Sequence, residues 1–451
     1  MQYKEITKRV ERDLKNKNFD EVTERLTKLK SIDVAEVLSP LEPQQLLLVF
    51  SLLPKDHAAE VFSYFSSSQK QSIVKGTSPE EIKEILDLLN MDDKVDALEE
   101  LPSNIVTQIL RNSSSIERSL INKFLAYPED SAGSLMTIEY VSLLSTMTVA
   151  DARAHIRNVG LEKETIYTLY VTDESRKLIG ILSLRELVTS SDDALVGDLM
   201  NTNFIFAHTQ DDQEDVAKLF TKYGLLTLPV VDMEQRINGI ITVDDIMEVV
   251  KQEATEDFQI MAATSPSEEK YLETSVWGHT KKRIIWLLVL MISATFTGRI
   301  MGHYSEVLES TIILSVFIPM LMDTGGNSGN QSSTLVIRAL AVGDITIKDW
   351  FRVFWKELLV ATTSGIILAA VNFARIVLFE SIDMNIALVV CLTIVVVVIL
   401  AKTVGGLLPI FAKSVGLDPA VMAGPLITTI VDALALLIYF YLATTMLNVV
   451  V

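Results

Sequence analysis

Long apolar segments after residue 280 constrain this chain more than any other feature of its sequence. Each is long enough to cross a lipid bilayer, which takes about 20 apolar residues in a helix. The segments cover approximately residues 284–301, 311–341, 354–379, 386–410 and 420–447. The sequence therefore predicts an all-α transmembrane domain of five helices over 281–451, surrounded by the lipid bilayer, with the two chain ends on opposite sides.

The loops between these segments differ in their content of basic residues, which orients the domain. Lys281, Lys282 and Arg283 precede the first segment, and Lys348 and Arg352 lie between the second and the third. The loops after the first and third segments, HYSEVLES and FESIDMN, contain neither Lys nor Arg. Because loops rich in Lys and Arg stay in the cytoplasm, we expect a plasma-membrane protein with a cytoplasmic N-terminus and an extracellular C-terminus.

The net charge is confined to the part of the chain before these segments. Residues 1–280 contain 28 Lys and Arg against 48 Asp and Glu, a net charge of −20, whereas residues 281–451 carry +1. A charge of −20 repels phosphate, which excludes nucleic acid as a partner, and it attracts cations. The only cysteine, Cys391, lies in an apolar segment, which excludes a disulfide framework and a cysteine-based metal site.

Short helices joined by Pro and Ser turns are predicted over residues 1–127. One helix start is explicit in the run Ser78-Pro79-Glu80-Glu81, where Ser is the N-cap, Pro the first helical residue and Glu81 the third. The apolar residues that follow recur at helical spacing. This pattern predicts a cytoplasmic all-α superhelical N domain and by itself indicates no function.

An internal repeat occupies the centre of the chain. Gly160 aligns with Gly224, and the segment RKLIGILSLRELV aligns with QRINGIITVDDIM. Each copy is predicted to end as strand, Gly turn, strand and helix. The two α/β units, 128–198 and 199–256, resemble a tandem pair of CBS domains.

The CBS resemblance implies a candidate nucleotide site. In that family a Ser or Thr three residues before an Asp often contacts an adenosine ribose, and Thr242 and Asp245 have this spacing. The implied ligand is ATP or another adenine nucleotide. A helix N-cap followed by an acid in the first turn explains the same pair equally well.

Acidic residues cluster on the segment that leads to the membrane. On a helix, Asp245 and Glu248 share one face, as do Glu253, Glu256 and Asp257. Like charges at this density destabilise a helix unless a cation screens them. Mg²⁺ suits such a surface, because it takes oxygen ligands and binds through few carboxylates while keeping its waters. A solvated acidic face is the alternative.

Polar residues interrupt the second and fifth apolar segments. The second contains the run DTGGNSGNQSS, whose side chains must face protein or water rather than lipid. In the fifth, Gly424, Thr428 and Asp432 recur every four residues, which predicts one helical face continuous from Asp418. An unpaired carboxylate in a bilayer costs about 2.5–3.5 kcal/mol on insertion scales. Asp432 is therefore functional, hydrogen-bonded to another helix, or paired with Arg338 or Lys402.

Three stretches then resemble one family specifically. They are YPEDSAGSLMT at 127–137, TGGNSGNQSSTLVIRAL at 324–340 and GLDPAVMAGPLITTIVD at 416–432. Together with the order of N domain, CBS pair, connecting helix and spans, they make the whole chain similar to the MgtE family of magnesium channels and transporters. The resemblance implies a homodimer with one pore on the two-fold axis, Mg²⁺ as substrate and regulator, and no enzyme activity.

For the pore, the resemblance implies that the two copies of Asp432 form the ion-selecting site. The Thr428 backbone would face the same ion, and Asp418 would attract ions at the cytoplasmic mouth. The residues implied to line the path are Gly424, Gly325, Gly326, Asn327, Gly329, Asn330 and Gln331.

For regulation, the resemblance implies that intracellular Mg²⁺ joins the N domain, the CBS pair and a connecting (plug) helix over 257–280, and thereby closes the pore. The residues that match the family's regulatory ligands are Glu60, Asp92, Asp96, Asp212, Glu214, Asp245, Glu248, Glu253, Glu256 and Asp257. Gly224 stands where an acid is expected, which predicts a weaker cation site at that position.

Other readings of the sequence are a transporter for a broader set of divalent cations (Co²⁺, Mn²⁺, Ni²⁺, Ca²⁺) and a membrane-anchored Mg²⁺ sensor that does not transport. Carboxylate and carbonyl ligands accept several hard cations. The polar second segment disfavours the sensor, because an anchor needs no polar residues. An intramembrane metalloprotease needs clustered ligands such as H-E-x-x-H, and the five histidines are scattered.

Overall fold

The computed structural model describes residues 2–267, 271–272, 274–380 and 382–447. The chain divides into two compact units, Met1–Val250 and Lys251–Val451. The first holds the short helices and both repeats, and the second holds the long apolar helices. The helix that ends the second repeat begins in the first unit and ends in the second.

Residues 2–124 fold into ten short helices. These are α1 (Gln2–Lys15), α2 (Phe19–Leu26), α3 (Ser31–Leu38), α4 (Pro43–Leu52), α5 (Lys55–Ser63), α6 (Ser67–Gly76), α7 (Pro79–Leu86), α8 (Met91–Glu99), α9 (Ser103–Asn112) and α10 (Ser115–Phe124). Helices two places apart pack on one another, α1 on α3, α3 on α5, α5 on α7 and α7 on α9. This stacking forms the predicted helical N domain.

The predicted start of α7 has the expected geometry. Glu81 N donates to Ser78 Oγ over 3.3 Å, and Ser78 N donates to Glu81 Oε2 over 3.2 Å. These reciprocal bonds satisfy backbone donors that a helix start otherwise leaves unpaired. The apolar side of α7, with Ile82 and Leu86, is fully buried in the core of the domain.

Each repeat contains a three-stranded sheet. The strands are β1 (Ser142–Leu144), β2 (Thr168–Thr172), β3 (Leu178–Ser183), β4 (Ala207–His208), β5 (Thr227–Val231) and β6 (Ile237–Thr242). In both sheets the first strand pairs parallel with the second, which pairs antiparallel with the third. The helices around them are α11 (Ala132–Leu135), α12 (Val149–Val159), α13 (Leu184–Thr189), α14 (Val196–Leu199), α15 (Gln213–Tyr223) and α16 (Val243–Met261).

The predicted Gly turn within each repeat is wrong. Gly180 and Gly239 lie inside β3 and β6, and the chain reverses earlier, in the hairpins before these strands. A Cβ at Gly180 would stand 2.7 Å from the Met200 sulfur, and one at Gly239 would stand 2.6 Å from the Thr137 carbonyl oxygen. These glycines are needed because another segment crosses the strand at close range.

The second unit consists mainly of long helices. They are α17 (Val276–His303), the short α18 (Ser305–Ser310), α19 (Ile313–Ala341), α20 (Trp350–Phe379), α21 (Met384–Ser414) and α22 (Pro425–Leu447). Helix α21 is central, because it packs on α19, α20 and α22. Its partners bury an apolar core that includes Phe317, Val398, Tyr439 and Phe440.

Four helical segments are long and apolar enough to cross a membrane: Val276–His303, Ile347–Phe379, Met384–Ser414 and Pro419–Leu447. Helix α19 has 29 residues but carries the polar run DTGGNSGNQSS. The described residues therefore contain four candidate spans and one further long helix of mixed polarity, where the sequence predicts five spans.

The connecting helix predicted over 257–280 is shorter in the structure. Helix α16 runs without interruption from the second CBS unit and ends at Met261, and α17 begins only at Val276, after its N-cap Ser275. Residues 268–270 and 273 of the predicted helix lie outside the described residues. Ile260 and Met261, at the end of α16, pack against Ile337, Ala420 and Ala423.

Candidate cation sites

Asp432 lies on α22 with an unpaired carboxylate oxygen. Its Oδ1 atom is buried and has no hydrogen-bond partner among the described residues. Gly326 of α19 faces it, since a Cβ there would stand 3.6 Å from Asp432 Oδ1 and 2.8 Å from Thr428 Cγ2. The Thr428 hydroxyl donates to the Gly424 carbonyl oxygen of its own helix over 3.1 Å. Glycine at 326 thus permits α19 to approach the carboxylate closely.

Neither base predicted as a possible partner, Arg338 or Lys402, pairs with Asp432 among the described residues. Lys402 of α21 is buried, and its Nζ donates to Gln331 Oε1 over 3.3 Å. Among the described residues, no Lys, Arg or His side chain forms an ion pair with Asp432 within 4 Å. Its charged neighbour is another acid, Asp323 of α19. Among the described residues, the carboxylate of Asp432 therefore has no basic counter-ion.

The expectation of one helical face from Asp418 to Asp432 is wrong. Residues Pro419–Met422 form a 3-10 turn that Asp418 caps by accepting from Ala420 N over 2.7 Å. Gly424 adopts a positive φ of 56°, and α22 begins only at Pro425. Asp418 is thus an N-cap at the entry to α22 and is separated from Asp432 by a change of backbone direction.

Helix α19 fixes this non-helical entry. Gly424 N donates to Asn330 Oδ1 over 2.9 Å, and Ser333 Oγ donates to the Met422 carbonyl over 2.8 Å. A Cβ at Gly424 would stand 2.4 Å from the Met261 carbonyl oxygen, at the end of α16. The start of α22 is therefore held between α19 and the end of α16.

Six residues of α19 are predicted to line a path, and they and the neighbouring Asp323 differ in their surroundings. Gly325 and Gly329 are buried, and a Cβ at either would press on Val431 of α22. Asp323, Asn327 and Gln331 recur every four residues and are exposed, and Asn327 Nδ2 donates to Asp323 Oδ1 over 3.0 Å. The glycines thus serve helix packing, and the polar side chains form an uncovered stripe, called here the α19 stripe.

A second group of acids lies within the first unit, between the N domain and the CBS pair. Asp92 of α8 has a buried Oδ1 with no hydrogen-bond partner among the described residues. Burial first, and then the charges of Asp245 and Asp93, raise the pKa of Asp92 well above its usual value. Burial and the charges of Asp245 and Asp244 raise the pKa of Glu164 to about 7. These acids therefore repel one another when ionised.

Asp245 belongs to this group and also caps its own helix. Thr242 Oγ1 donates to Asp245 Oδ2 over 2.6 Å. Burial raises the pKa of Asp245 to about 6, against the opposing effect of this hydrogen bond. The pair predicted as a nucleotide contact therefore has the geometry of a capped helix start, and one carboxylate oxygen of Asp245 is already engaged.

Glu60 and Glu248 lie near the same group of acids, as their effect on Tyr64 indicates. Burial raises the pKa of the Tyr64 phenol, and the charges of Asp93, Glu60, Asp244 and Glu248 raise it further. Acids from α5, α8 and α16 therefore lie close enough to Tyr64 to raise the pKa of its phenol. Glu60 Oε2 also accepts from Ser31 Oγ over 2.5 Å.

The other predicted regulatory acids have different surroundings. Asp212 caps α15 by accepting from Glu214 N over 2.8 Å, and Glu214 pairs with Lys218 over 3.2 Å. Asp96 lies on α8 with Asp92. Gly224, where an acid was expected, is the C-cap of α15 in the left-handed conformation, with φ 62°. The remaining predicted acids, further along α16, are Glu253, Glu256 and Asp257.

Two acids of the first CBS unit were not predicted. Asn90 Nδ2 donates to Glu164 Oε2, and Met91 N donates to Glu139 Oε2 over 3.4 Å. Both contacts join the start of α8 to the first CBS unit. No local pattern marks either glutamate, since the contacts span 74 and 48 residues of sequence.

The acids are near one another without forming a finished metal site. Within the described ranges, no group of three or more His, Cys, Asp or Glu side chains is arranged to hold a metal ion. A buried carboxylate oxygen without a partner and raised pKa values nevertheless fit a cation, because a divalent ion supplies the positive charge that the group lacks. Asp92, Asp245 and Glu164 are the side chains best placed to hold it.

Sequence models of known families match four separate ranges of the chain between residues 29 and 442. The sequence model of the MgtE family, described as "Divalent cation transporter", matches residues 318–442. That of the "MgtE intracellular N domain" matches 29–130, and that of the CBS domain matches 132–193 and 196–252.

Curated relatives and solved structures agree with these matches. The magnesium transporter MgtE of Thermus thermophilus is 36% identical over 430 residues, 92% of this chain and 95% of that protein. The Bacillus subtilis protein of the same name is 30% identical over 452 residues, 96% of this chain and 99% of that protein. A crystal structure of the cytosolic domain of the Mg²⁺ channel MgtE in complex with ATP is 34% identical with a TM-score of 0.51, and it covers 53% of this chain and 98% of that one. The soluble part of a magnesium transporter is 31% identical with a TM-score of 0.52, covering 56% and 99%.

Proposed function

The chain belongs to the MgtE family of magnesium transporters, and we propose that it conducts Mg²⁺ selectively into the cell, down its electrochemical gradient, through a pore formed by two copies of the chain. The family is one of transporters and not of enzymes, as the sequence predicts. The observation that carries the proposal is the unpaired, buried Asp432 Oδ1 in an apolar helix. A carboxylate in this position is costly unless it binds a cation or faces water.

The α19 stripe supports the homodimer. Asp323, Asn327 and Gln331 are exposed on the single chain although their helix lies among apolar spans. Polar side chains at this depth must face protein or water. A two-fold axis beside the stripe places two stripes and two copies of Asp432 around one aqueous path. In this arrangement α19 is a fifth span, the N-terminus is cytoplasmic, the C-terminus is extracellular and the membrane is the plasma membrane.

Within this pore, Asp432 selects the ion and the Thr428 backbone faces it, while Asp418 attracts ions at the mouth. A divalent ion about 5 Å from one carboxylate interacts by roughly 6–7 kcal/mol at an effective dielectric constant of about 20. Ion dehydration opposes most of this. If one fifth of this interaction energy remains after dehydration, about 1.4 kcal/mol, it changes the rate of ion passage tenfold.

The test is Mg²⁺ uptake into proteoliposomes that contain the full-length protein, followed with an enclosed Mg²⁺ dye. We expect Asp432→Ala to lower the initial rate at least tenfold. Asp383→Ala is the matched control, because Asp383 caps α21 through Asn385 N and takes no part in the path. Undiminished uptake by Asp432→Ala in correctly inserted protein would remove Asp432 from the pore and refute the proposal.

Selectivity for Mg²⁺ is the finer part of the proposal. The description "Divalent cation transporter" favours a second candidate, a pore that also passes Co²⁺, Mn²⁺, Ni²⁺ or Ca²⁺. Uptake of each ion alone, and its competition with Mg²⁺, separates the two. Equal initial uptake rates for Mg²⁺ and Ca²⁺ would refute the Mg²⁺-selective pore and support the broader divalent-cation pore.

For regulation, we infer that intracellular Mg²⁺ stabilises the closed pore. The repulsion among Asp92, Asp245 and Glu164 supplies the physical reason, because a bound cation removes it and holds the N domain on the CBS pair. The end of α16 carries the effect onward, since Met261 lies against Gly424 at the start of α22. The full set of regulatory acids then comprises the predicted residues together with Glu139 and Glu164.

Nucleotide binding by the CBS pair is a separate proposal. A related cytosolic domain was crystallised with ATP, and Thr242 and Asp245 keep the spacing of a ribose contact. Their mutual hydrogen bond leaves the second carboxylate oxygen of Asp245 for a ribose hydroxyl. Calorimetric titration of ATP into Asp245→Asn tests this role, which predicts weaker binding than in the parent protein.

A further inference from the structure

Lys402 is a buried base in α21, the most apolar of the four candidate spans. Its Nζ donates to Gln331 Oε1, and among the described residues no acid forms an ion pair with it within 4 Å. A buried ammonium group at membrane depth is costly. We propose that the charge of Lys402 limits how tightly the pore holds its cation, so that the cation can leave. This inference rests on the conducting pore proposed above.

Gln331 connects Lys402 to the proposed ion path. Gln331 is the last residue of the α19 stripe and is exposed on the single chain. A lysine ammonium only donates, so the Gln331 atom that faces it must be the carbonyl oxygen. Gln331 therefore offers its amide N–H groups, and not an oxygen ligand, to the path. The ammonium lies within roughly 10 Å of an ion beside Gln331, a distance over which charges interact across protein.

Backbone contacts between α21 and α19 fix the position of this ammonium group. A Cβ at Gly329 would stand 3.2 Å from the Ala401 carbonyl oxygen, and a Cβ at Gly405 would overlap the Gly329 carbonyl oxygen. These contacts lie one residue before Lys402 and three residues after it. The two helices are therefore in close contact on both sides of Lys402, and its charge is held beside the α19 stripe.

The acid that lies nearest along α19 is engaged elsewhere. Ser332, the residue after Gln331, is buried, and its Oγ donates to Glu357 Oε2 of α20 over 2.5 Å. A Cβ at Gly406 would stand 2.8 Å from Glu357 Cγ, so α21 also packs on this side chain. In the described part of the chain Glu357 forms no ion pair with Lys402 within 4 Å. Direct contact with Glu357 therefore does not neutralise the ammonium group.

The charges of Lys402 and Asp432 have opposite effects on an ion in the proposed pore. Asp432 attracts it, whereas the ammonium repels it, twice as strongly for a divalent as for a monovalent cation. A pore conducts only when binding is favourable enough for the ion to enter and weak enough for it to leave. Removal of the Lys402 charge should therefore tighten the binding of Mg²⁺ and slow its release.

The test is the initial rate of Mg²⁺ uptake into proteoliposomes over a range of external Mg²⁺ concentrations, divided by the amount of correctly inserted protein. We expect Lys402→Met to lower the half-saturating concentration about tenfold and to lower the maximal rate. Lys402→Arg keeps the charge and should keep the half-saturating concentration within about twofold. Thr403→Val is the matched control, because Thr403 is the next residue and its buried hydroxyl has no hydrogen-bond partner among the described residues.

The direction of the change separates a charge effect from a structural role. A Lys402 that only supported helix packing would, when replaced, leave the half-saturating concentration unchanged or raise it. Either result in Lys402→Met, or a tenfold decrease in Lys402→Arg or Thr403→Val, would overturn the inference. Lys402→Gln, which is neutral and still donates to Gln331, decides by the same measurement if Lys402→Met inserts poorly. Absence of uptake by the parent protein would instead refute the proposed conduction itself.

Discussion

Replacing Glu164 by Gln should stabilise the protein in the absence of divalent cations, and should do so only at neutral and alkaline pH. Burial and the charges of Asp245 and Asp244 raise the pKa of Glu164 from its usual 4.5 to about 7. The folded protein therefore binds more protons than the unfolded chain between these two pH values, so its stability falls as the pH rises through this range. Glutamine is neutral and can still accept from Asn90.

The expected size follows from this pKa. A rise from 4.5 to about 7 corresponds to at most about 3 kcal/mol, at about 1.4 kcal/mol per pH unit. Glu164 keeps part of its contact with solvent, which screens its charge and reduces the free energy to roughly 1–2 kcal/mol. In a unit of this size, such a gain raises the unfolding temperature by about 2–8 °C. We expect this gain at pH 8 and little change at pH 5.

Thermal unfolding of the full-length protein in EDTA, at pH 5 and pH 8, measures the effect, and added Mg²⁺ measures its relation to cation binding. Mg²⁺ should stabilise the parent protein more at pH 8 than at pH 5, and should stabilise Glu164→Gln less than the parent at pH 8. The matched control is Glu162→Gln, two residues earlier and exposed, with an expected change below about 0.5 kcal/mol. An equal gain at both pH values, or the same gain in the control, would refute repulsion as the cause.

Two further predictions concern the membrane unit. Gly424→Ala should destabilise the protein by about 1–2 kcal/mol, because φ is 56° and the new Cβ would meet the Met261 carbonyl oxygen. Patch recordings of this variant should then show incomplete closure of the pore at high internal Mg²⁺. The control is Gly302→Ala, whose new Cβ meets no neighbour within 4 Å and whose pore should close normally. In Asn327→Cys, the new cysteine should form a disulfide between two copies of the chain under mild oxidation. Ile367→Cys, on the exposed side of α20, should form none. The native Cys391 is buried and does not compete for disulfide formation. Normal closure in Gly424→Ala would contradict the route through Met261, and failure of the cysteine at 327 to cross-link would place the two-fold axis elsewhere.

Local patterns in the sequence predict the elements well where the cause is local. The capping box at Ser78 and Glu81 forms as expected because each partner lies within three residues of the other. The repeat also yields two sheets of the same strand order. In both cases the information that fixes the structure lies within the segment itself.

The structure differs from the sequence predictions at positions where a distant segment determines the local conformation. Gly180 lies inside β3, where the close approach of Met200 leaves no room for a side chain. Gly424 interrupts the expected helical face, and Asn330 and Met261 pack against it there. Glu164 joins the acidic group only through the packing of the N domain on the first CBS unit. The spacing of residues along the chain does not indicate contacts between distant segments, so these features could not be predicted from the sequence.

The unpaired state of Asp432 and the exposure of the α19 stripe have one explanation. The ammonium group of Lys402 donates a hydrogen bond to Gln331, a residue of the α19 stripe, and forms no ion pair with Asp432. Within the described residues, Asp432 has no compensating base and the polar side chains of the α19 stripe are exposed. Apolar surroundings make both arrangements costly. A symmetric pair of chains with water and a cation between them satisfies both at once. In the pore proposed above, the subunit interface and the ion path share a surface, so a substitution that weakens dimerisation along the α19 stripe should also change conduction.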